Sequence, residues 1–265
     1  MTERPAFSFP GDWSGQLVAT AIHNGHDLRS ATASEMVLDE AVRLREEDPF
    51  TDLIGAGTPA RVVVHRSRFE VDLNRPRDEA VYRRPEDCWG LEVWRSNPLP
   101  EEIVAGSLGV YDDFYAELGR RLDRVAERGP FVVYDVHSYN HRRGGADSAP
   151  EPAQDNPEVN LGTGTVDKGV FGGVVDAFMG SLGHQSTDDG AIDVRENVKF
   201  KGRALSWWVH ERYAGVGCCL ALEFKKTFMD EWSGQPDHLR LRQLQQALGA
   251  THGPVLEALG EVTRS

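Results

Sequence analysis

Two uninterrupted apolar runs, residues 131–136 (Phe-Val-Val-Tyr-Asp-Val) and residues 218–224 (Cys-Cys-Leu-Ala-Leu-Glu-Phe), most constrain what this chain can fold into. Neither alternates apolar with polar residues as a strand with one wet face would. Both suit strands buried on two sides, which requires helices above and below the sheet. A third run at 17–22 ends in a polar, glycine-containing turn, and residues 61–65 and 69–73 flank a charged link as two neighbouring strands would. Apolar residues at helical spacing predict helices over 34–46, 111–127 and 239–248. Strands alternating with helices predict an α/β fold, a three-layer α/β/α sandwich around a mixed, largely parallel sheet. Residues 144–174, rich in Gly, Pro, Asp and Asn, read as a long irregular loop, either a lid or an ordinary surface insertion. The 265 residues are expected to form a single domain.

Composition narrows the function. With 29 Lys+Arg against 42 Asp+Glu the formal charge is −13, and there is no basic arm to displace counterions from nucleic acid or an anionic membrane. At 40% hydrophobic and 27% charged residues the chain is globular in composition. It has no apolar run of about 18 residues and no basic-then-apolar leader, so a cytoplasmic protein is expected. The three cysteines, Cys88, Cys218 and Cys219, are odd in number and include an adjacent pair, which predicts reduced, buried thiols rather than disulfides.

Ligands of open α/β sheets bind beyond the carboxyl ends of the strands, so the residues following each run are the candidates. His23, His26 and Asp27 follow the first run, Asn74 and Arg75 follow residue 73, and His137 follows residue 136. A His-x-x-His step with a distant third histidine fills three corners of a tetrahedron and leaves one open, the plan of a catalytic zinc site. Imidazole and carboxylate donors suit zinc, with manganese, nickel or iron as alternatives. On the bland reading, His23 and His26 are turn residues bonded to backbone. Glu223, inside a buried run, must be salt-bridged, protonated or functional, and Lys225 is its obvious structural partner. Arg68 and Arg75 are placed to grip a carboxylate or else are surface arginines; Arg142 and Arg143 read as solvated or loop-ordering. Trp89, Trp94, Trp207, Trp208 and Trp232 could line an acyl pocket, with core packing the plainer use.

Taken in order, Ala21-Ile22-His23-Asn24-Gly25, Ser67-Arg68 through Asp72-Leu73-Asn74-Arg75-Pro76, Asp135-Val136-His137-Ser138-Tyr139, Phe200-Lys201-Gly202 and Ala221-Leu222-Glu223-Phe224 resemble the N-formylglutamate amidohydrolase family, within the wider group of zinc carboxypeptidases and aspartoacylase-like deacylases. The resemblance spans about residues 20–232. It implies a phosphorylase/hydrolase-like sandwich holding one divalent metal ion, zinc in that group, on a His-x-x-Glu step and a distant histidine. His23 and His137 match the histidines. The glutamate's place falls on His26, so that either His26 ligates or a carboxylate such as Asp27, Glu47 or Asp48 does. By the same resemblance Asn74 and Arg75 would hold the substrate's carboxylate, Arg68 would polarise the scissile carbonyl and Glu223 would shuttle the proton. The expected activity is hydrolysis of a small N-formyl or N-acyl amino acid, a deformylase-type reaction. The alternatives are a carboxypeptidase-like hydrolase of short peptides and a non-catalytic metal-binding protein.

Overall fold

Burial on both faces is what the two long apolar runs demand, and the computed structural model, which describes residues 4–262, supplies it. The strands are β1 (Phe7–Ser8), β2 (Leu17–Ala21), β3 (Ala60–Val64), β4 (Phe131–Tyr139), β5 (Val159–Gly162), β6 (Ser186–Thr187), β7 (Gly190–Ala191), β8 (Val194–Glu196) and β9 (Gly217–Lys225). β6 and β7 form a hairpin; the others form a seven-stranded sheet in the order β1-β3-β2-β4-β9-β5-β8. Its centre, β3-β2-β4-β9, is parallel, and β5 pairs antiparallel with β9 and parallel with β8. The sheet is therefore mixed and largely parallel, as expected.

The helices are α1 (Ser30–Glu35), α2 (Glu40–Glu46), α3 (Thr51–Ile54), α4 (Glu101–Ala126), α5 (Lys168–Gly183), α6 (Ala204–Arg212), α7 (His238–Ala250) and α8 (His252–Val262). Side chains alternate across a strand. Val132, Tyr134 and Val136 of β4 and Leu220 and Leu222 of β9 pack with α5, α7 and α8. Phe131 and Val133 of β4 and Cys219 of β9 pack with α4 and α6 on the opposite face. The same alternation sends Asp135, His137, Ala221 and Glu223 to the α4/α6 side, and the β4–β9 register makes His137 and Glu223 direct neighbours. Cys88, Cys218 and Cys219 are free and buried. Among the described residues no helix is long and apolar enough to cross a membrane.

Three local expectations are corrected. The helix expected over 34–46 is two helices, because Met36 bridges to Trp94, Val37 N–H donates to the Val93 carbonyl, and Asp39 then caps α2 through the amides of Ala41 and Val42. Met36 and Leu38 pack on a separate apolar cluster with Val93 and Trp94, and that contact outweighs helical continuity. Residues 69–73 form a buried turn instead of a strand, closed by Ser67, whose carbonyl accepts from the amides of Glu70 and Val71. A strand alternating in this way would leave one face wet, yet Glu70 and Asp72 are as buried as Phe69 and Val71 because charge partners hold them; Arg29 takes Glu70 at 2.6 Å. Residues 144–174 are not one loop, since they contain β5 and the start of α5. Two of their residues serve close backbone packing: buried Asn160 binds the Lys199 amide and the Phe200 carbonyl, and a Cβ on Gly162 would lie 2.6 Å from the Gly202 nitrogen.

Gly25 shows how tightly the first site segment is held. Its backbone bridges to Ser67, and a Cβ there would lie 2.2 Å from the His65 carbonyl carbon. Gly25→Ala should destabilise the protein by about 1–3 kcal/mol, since backbone cannot give way as a flexible side chain can. Urea unfolding midpoints of the two proteins check this.

Candidate functional site

The carboxyl ends of β2, β4 and β9 lie side by side, and three buried side chains meet there: His23 just past β2, His137 in β4, and Asp48 from the loop between α2 and α3. One donor atom from each lies within 4.8 Å of the others. Asp48 Oδ2 is 3.4 Å from His23 Nδ1 and 3.1 Å from His137 Nδ1, with the two rings 4.9 Å apart. The far nitrogens face carboxylates. His23 Nε2 donates to Asp72 Oδ1 at 2.7 Å, and His137 Nε2 lies 3.0 Å from Asp135 Oδ2. With each Nε2 facing its backing carboxylate, Nδ1 is the ring nitrogen of both histidines that faces Asp48.

Two buried imidazole nitrogens and a carboxylate converging on one point, each ring backed by an acid, have the chemistry of a divalent-metal donor set with its supporting shell once the rings are deprotonated at Nδ1. The residues present therefore fit such an ion. Local structure holds them in place. The Asp48 amide donates to the His23 carbonyl at 2.9 Å, Thr51 Oγ1 donates to the Asp48 carbonyl at 2.7 Å, and buried Lys226 donates to the Glu47 carbonyl at 2.6 Å. Thr20 Oγ1 donates to Asp135 Oδ1 at 2.7 Å, tying β2 to β4 behind the site. Burial opposes ionisation of Asp48, but the imidazoles of His137 and His23 outweigh it and hold its carboxyl below the ordinary carboxylate range. Burial likewise opposes a charged His137, yet Asp135 and Asp48 raise its pKa well above the usual value.

The site opens into a cavity of about 130 Å³ that Arg68, Asn74, Trp89, Arg143 and Glu223 help to line. Burial pushes the Glu223 carboxyl up to about 7, with Asp48 and Asp135 adding to the rise and His137 opposing it. Lys225, its obvious partner by sequence, donates instead to the Asn156 carbonyl at 3.1 Å. Arg68 donates to Asp72 Oδ2 at 2.8 Å and stacks 5.1 Å over the ring of Trp89, which is 57% exposed at the cavity wall and so is not core. Trp94, by contrast, is core.

His26 and Arg75 stand elsewhere. His26 Nδ1 is 2.5 Å from Glu47 Oε2, and its Nε2 faces Glu40 and Arg43, so the structure does not bring it to the His23–Asp48–His137 group. The chain beyond Gly25 runs alongside Ser67 and carries His26 towards α2. Asp27 is likewise apart, bridged to Arg66. Arg75 donates to the Asp87 carbonyl at 2.7 Å, lies 3.5 Å from Asp72 and covers the Tyr82 ring, outside the cavity wall. Asn74 does reach the wall: its Nδ2 is 3.3 Å from His137 Nε2, and its Oδ1 accepts the Leu205 amide at 3.1 Å. Asp72 and Asp135 stand in the motifs that carry the resemblance but had no role assigned from sequence, and neither did Lys226 or Arg203. Asp135 could have been given one, since two residues along a strand share a face with His137.

The sequence profile of the family described as N-formylglutamate amidohydrolase matches residues 15–229. No curated protein sequence is a significant match. Among solved structures, the chain is similar to N-formylglutamate amidohydrolase from Ralstonia eutropha, with a TM-score of 0.73 and 17% identity over 97% of this chain and 98% of that one. It is also similar to a gene product of Agrobacterium tumefaciens, with a TM-score of 0.67 and 16% identity over 97% and 96% of the two chains. These likenesses show the fold.

Zinc titrated into metal-free protein should bind in a single equivalent. Asp48→Ala should weaken it by more than the roughly 10–100-fold that follows loss of a histidine's outer partner, whereas His26→Ala should keep the stoichiometry. Calorimetric titration reads both; loss of zinc in His26→Ala alone would put that imidazole on the ion.

Proposed function

Because the chain belongs to the N-formylglutamate amidohydrolase family, we propose that it is a metal-dependent amidohydrolase that cleaves the amide bond of a small N-formyl or N-acyl amino acid. The observation that carries this reading is the convergence of His23 Nδ1, His137 Nδ1 and Asp48 beside Glu223 on the neighbouring strand. His23, Asp48 and His137 would hold the ion, and zinc suits two imidazoles and a carboxylate. A bound divalent cation supplies a Lewis acid that polarises the amide carbonyl and acidifies water.

The chain's own groups do the rest. Glu223, with its pKa raised to about 7 by burial, is poised to take a proton from the attacking water and return it to the leaving nitrogen near neutral pH. The new C–O bond forms as the C–N bond breaks, so amide and water become a carboxylic acid and a free amine. Arg68 is anchored by Asp72 and faces the cavity, where its guanidinium can donate to the oxygen that gains negative charge. Asp72 and Asp135 orient the imidazoles from behind.

In the metal-loaded protein, N-formyl-L-glutamate should release formate, and a chelator should abolish the release until zinc is returned. Glu223→Gln should lower kcat by about 10²–10⁴-fold while zinc content stays unchanged. Formate assay and elemental analysis check the two halves; undiminished turnover in Glu223→Gln would sink the assignment.

A further inference from the structure

Arg75 is held by Asp72, Asp87 and Tyr82 and does not line the cavity, so a substrate carboxylate there would be met by another residue. The pocket has two lobes that meet at His137 and Glu223. One, of about 130 Å³, runs past Arg68 and Trp89 to Arg143; the other, of about 180 Å³, lies beneath residues 199–203. Arg203 lines both, as does Glu223.

The other cations around these lobes are largely engaged. Arg68 is on Asp72 at 2.8 Å, and Lys226 donates to the Glu47 carbonyl at 2.6 Å. Lys199 is on Glu151 at 3.1 Å and Asn156 at 2.6 Å, and Arg143 is 3.9 Å from Glu46. Among the described residues the Arg203 guanidinium makes no ion pair or hydrogen bond, and Lys201, likewise unpaired, lines only the second lobe. The base of Arg203 is nonetheless fixed. Gly202 takes φ +92°, where a Cβ would meet Ser206 Oγ at 3.0 Å; the Arg203 carbonyl accepts the Trp207 amide at 3.0 Å; and Asn74 ties the start of α6 to His137. A planar, permanently charged fork on a fixed base, with no acid of its own, suits bidentate capture of a carboxylate.

We propose that Arg203 is the specificity-determining residue that grips the carboxylate of the amide substrate. This rests on the amidohydrolase reading for the identity of the substrate, but its test does not depend on turnover. The probes are N-formyl-L-glutamate and its diamide, titrated into zinc-loaded Glu223→Gln protein. Arg203→Ala in that background should weaken the acid by about tenfold or more, with the melting temperature unchanged, and Arg203→Lys should recover part of the loss. The diamide should bind more weakly than the acid wherever Arg203 is present. Undiminished affinity for the acid in Arg203→Ala, or a diamide that binds as well as the acid, overturns the proposal. If the acid binds through Arg203 but the wild-type protein releases no formate from it, the carboxylate site stands and the amidohydrolase reading fails.

Discussion

Asp72 is the point on which the site depends. Its carboxylate, 1% exposed, accepts from His23 Nε2, Arg68 Nη2, the Tyr82 hydroxyl and the Asn74 amide, four donors from separate positions converging on two oxygens. Burial opposes its charge, but Arg68, His23 and Tyr82 outweigh that and hold its carboxyl well below the carboxylate range. Removing one partner of such a buried charged set typically costs about 3–5 kcal/mol, because the remainder is left uncompensated. The same anchor turns His23 towards Asp48 and aims Arg68 at the cavity, so electrostatic satisfaction and orientation of the chemical groups are one requirement.

Around this anchor the sheet acts as a ruler. Parallel pairing of β2, β4 and β9 puts Thr20 opposite Asp135 and His137 opposite Glu223 on one face, while the residues between them fill the core on the other. A slip of one residue in β9 would turn Glu223 into the α5/α7/α8 core. Elements that look loosely composed belong to the same framework. Asn160 of β5 holds the segment that carries Lys199 to Arg203 by hydrogen bonds, and Gly162 receives it so closely that a Cβ would not fit. Net charge and local charge diverge for the same reason: a chain of −13 gathers Arg68, Arg143, Arg203 and Lys226 around one cavity.

Much of this is legible in the residues. Uninterrupted apolar runs require burial on two faces, so residues 131–136 and 218–224 imply a covered sheet, and the polar residues at their ends imply a site at one edge. Periodicity failed where buried charge found partners. Glu70 and Asp72 look like the wet face of a strand until Arg29, His23 and Arg68 arrive from distant positions to neutralise them. Helical spacing over 34–46 failed because Met36 and Leu38 had a better apolar contact outside the helix.

The sequence by itself determined the fold class, the pairing of His23, His137 and Glu223 with strand ends, and a third donor that could be His26 or a nearby acid. Only the tertiary structure decided that Asp48 meets the two histidines while His26 turns to Glu47, and that Arg75 is engaged while Arg203 has no side-chain partner among the described residues. The physical reason is range. Periodicity reports which face a side chain takes on its own element, whereas a converging set of donors depends on how loops from separate elements are tied together, here by the Asp48 amide on His23 and by Lys226 on Glu47.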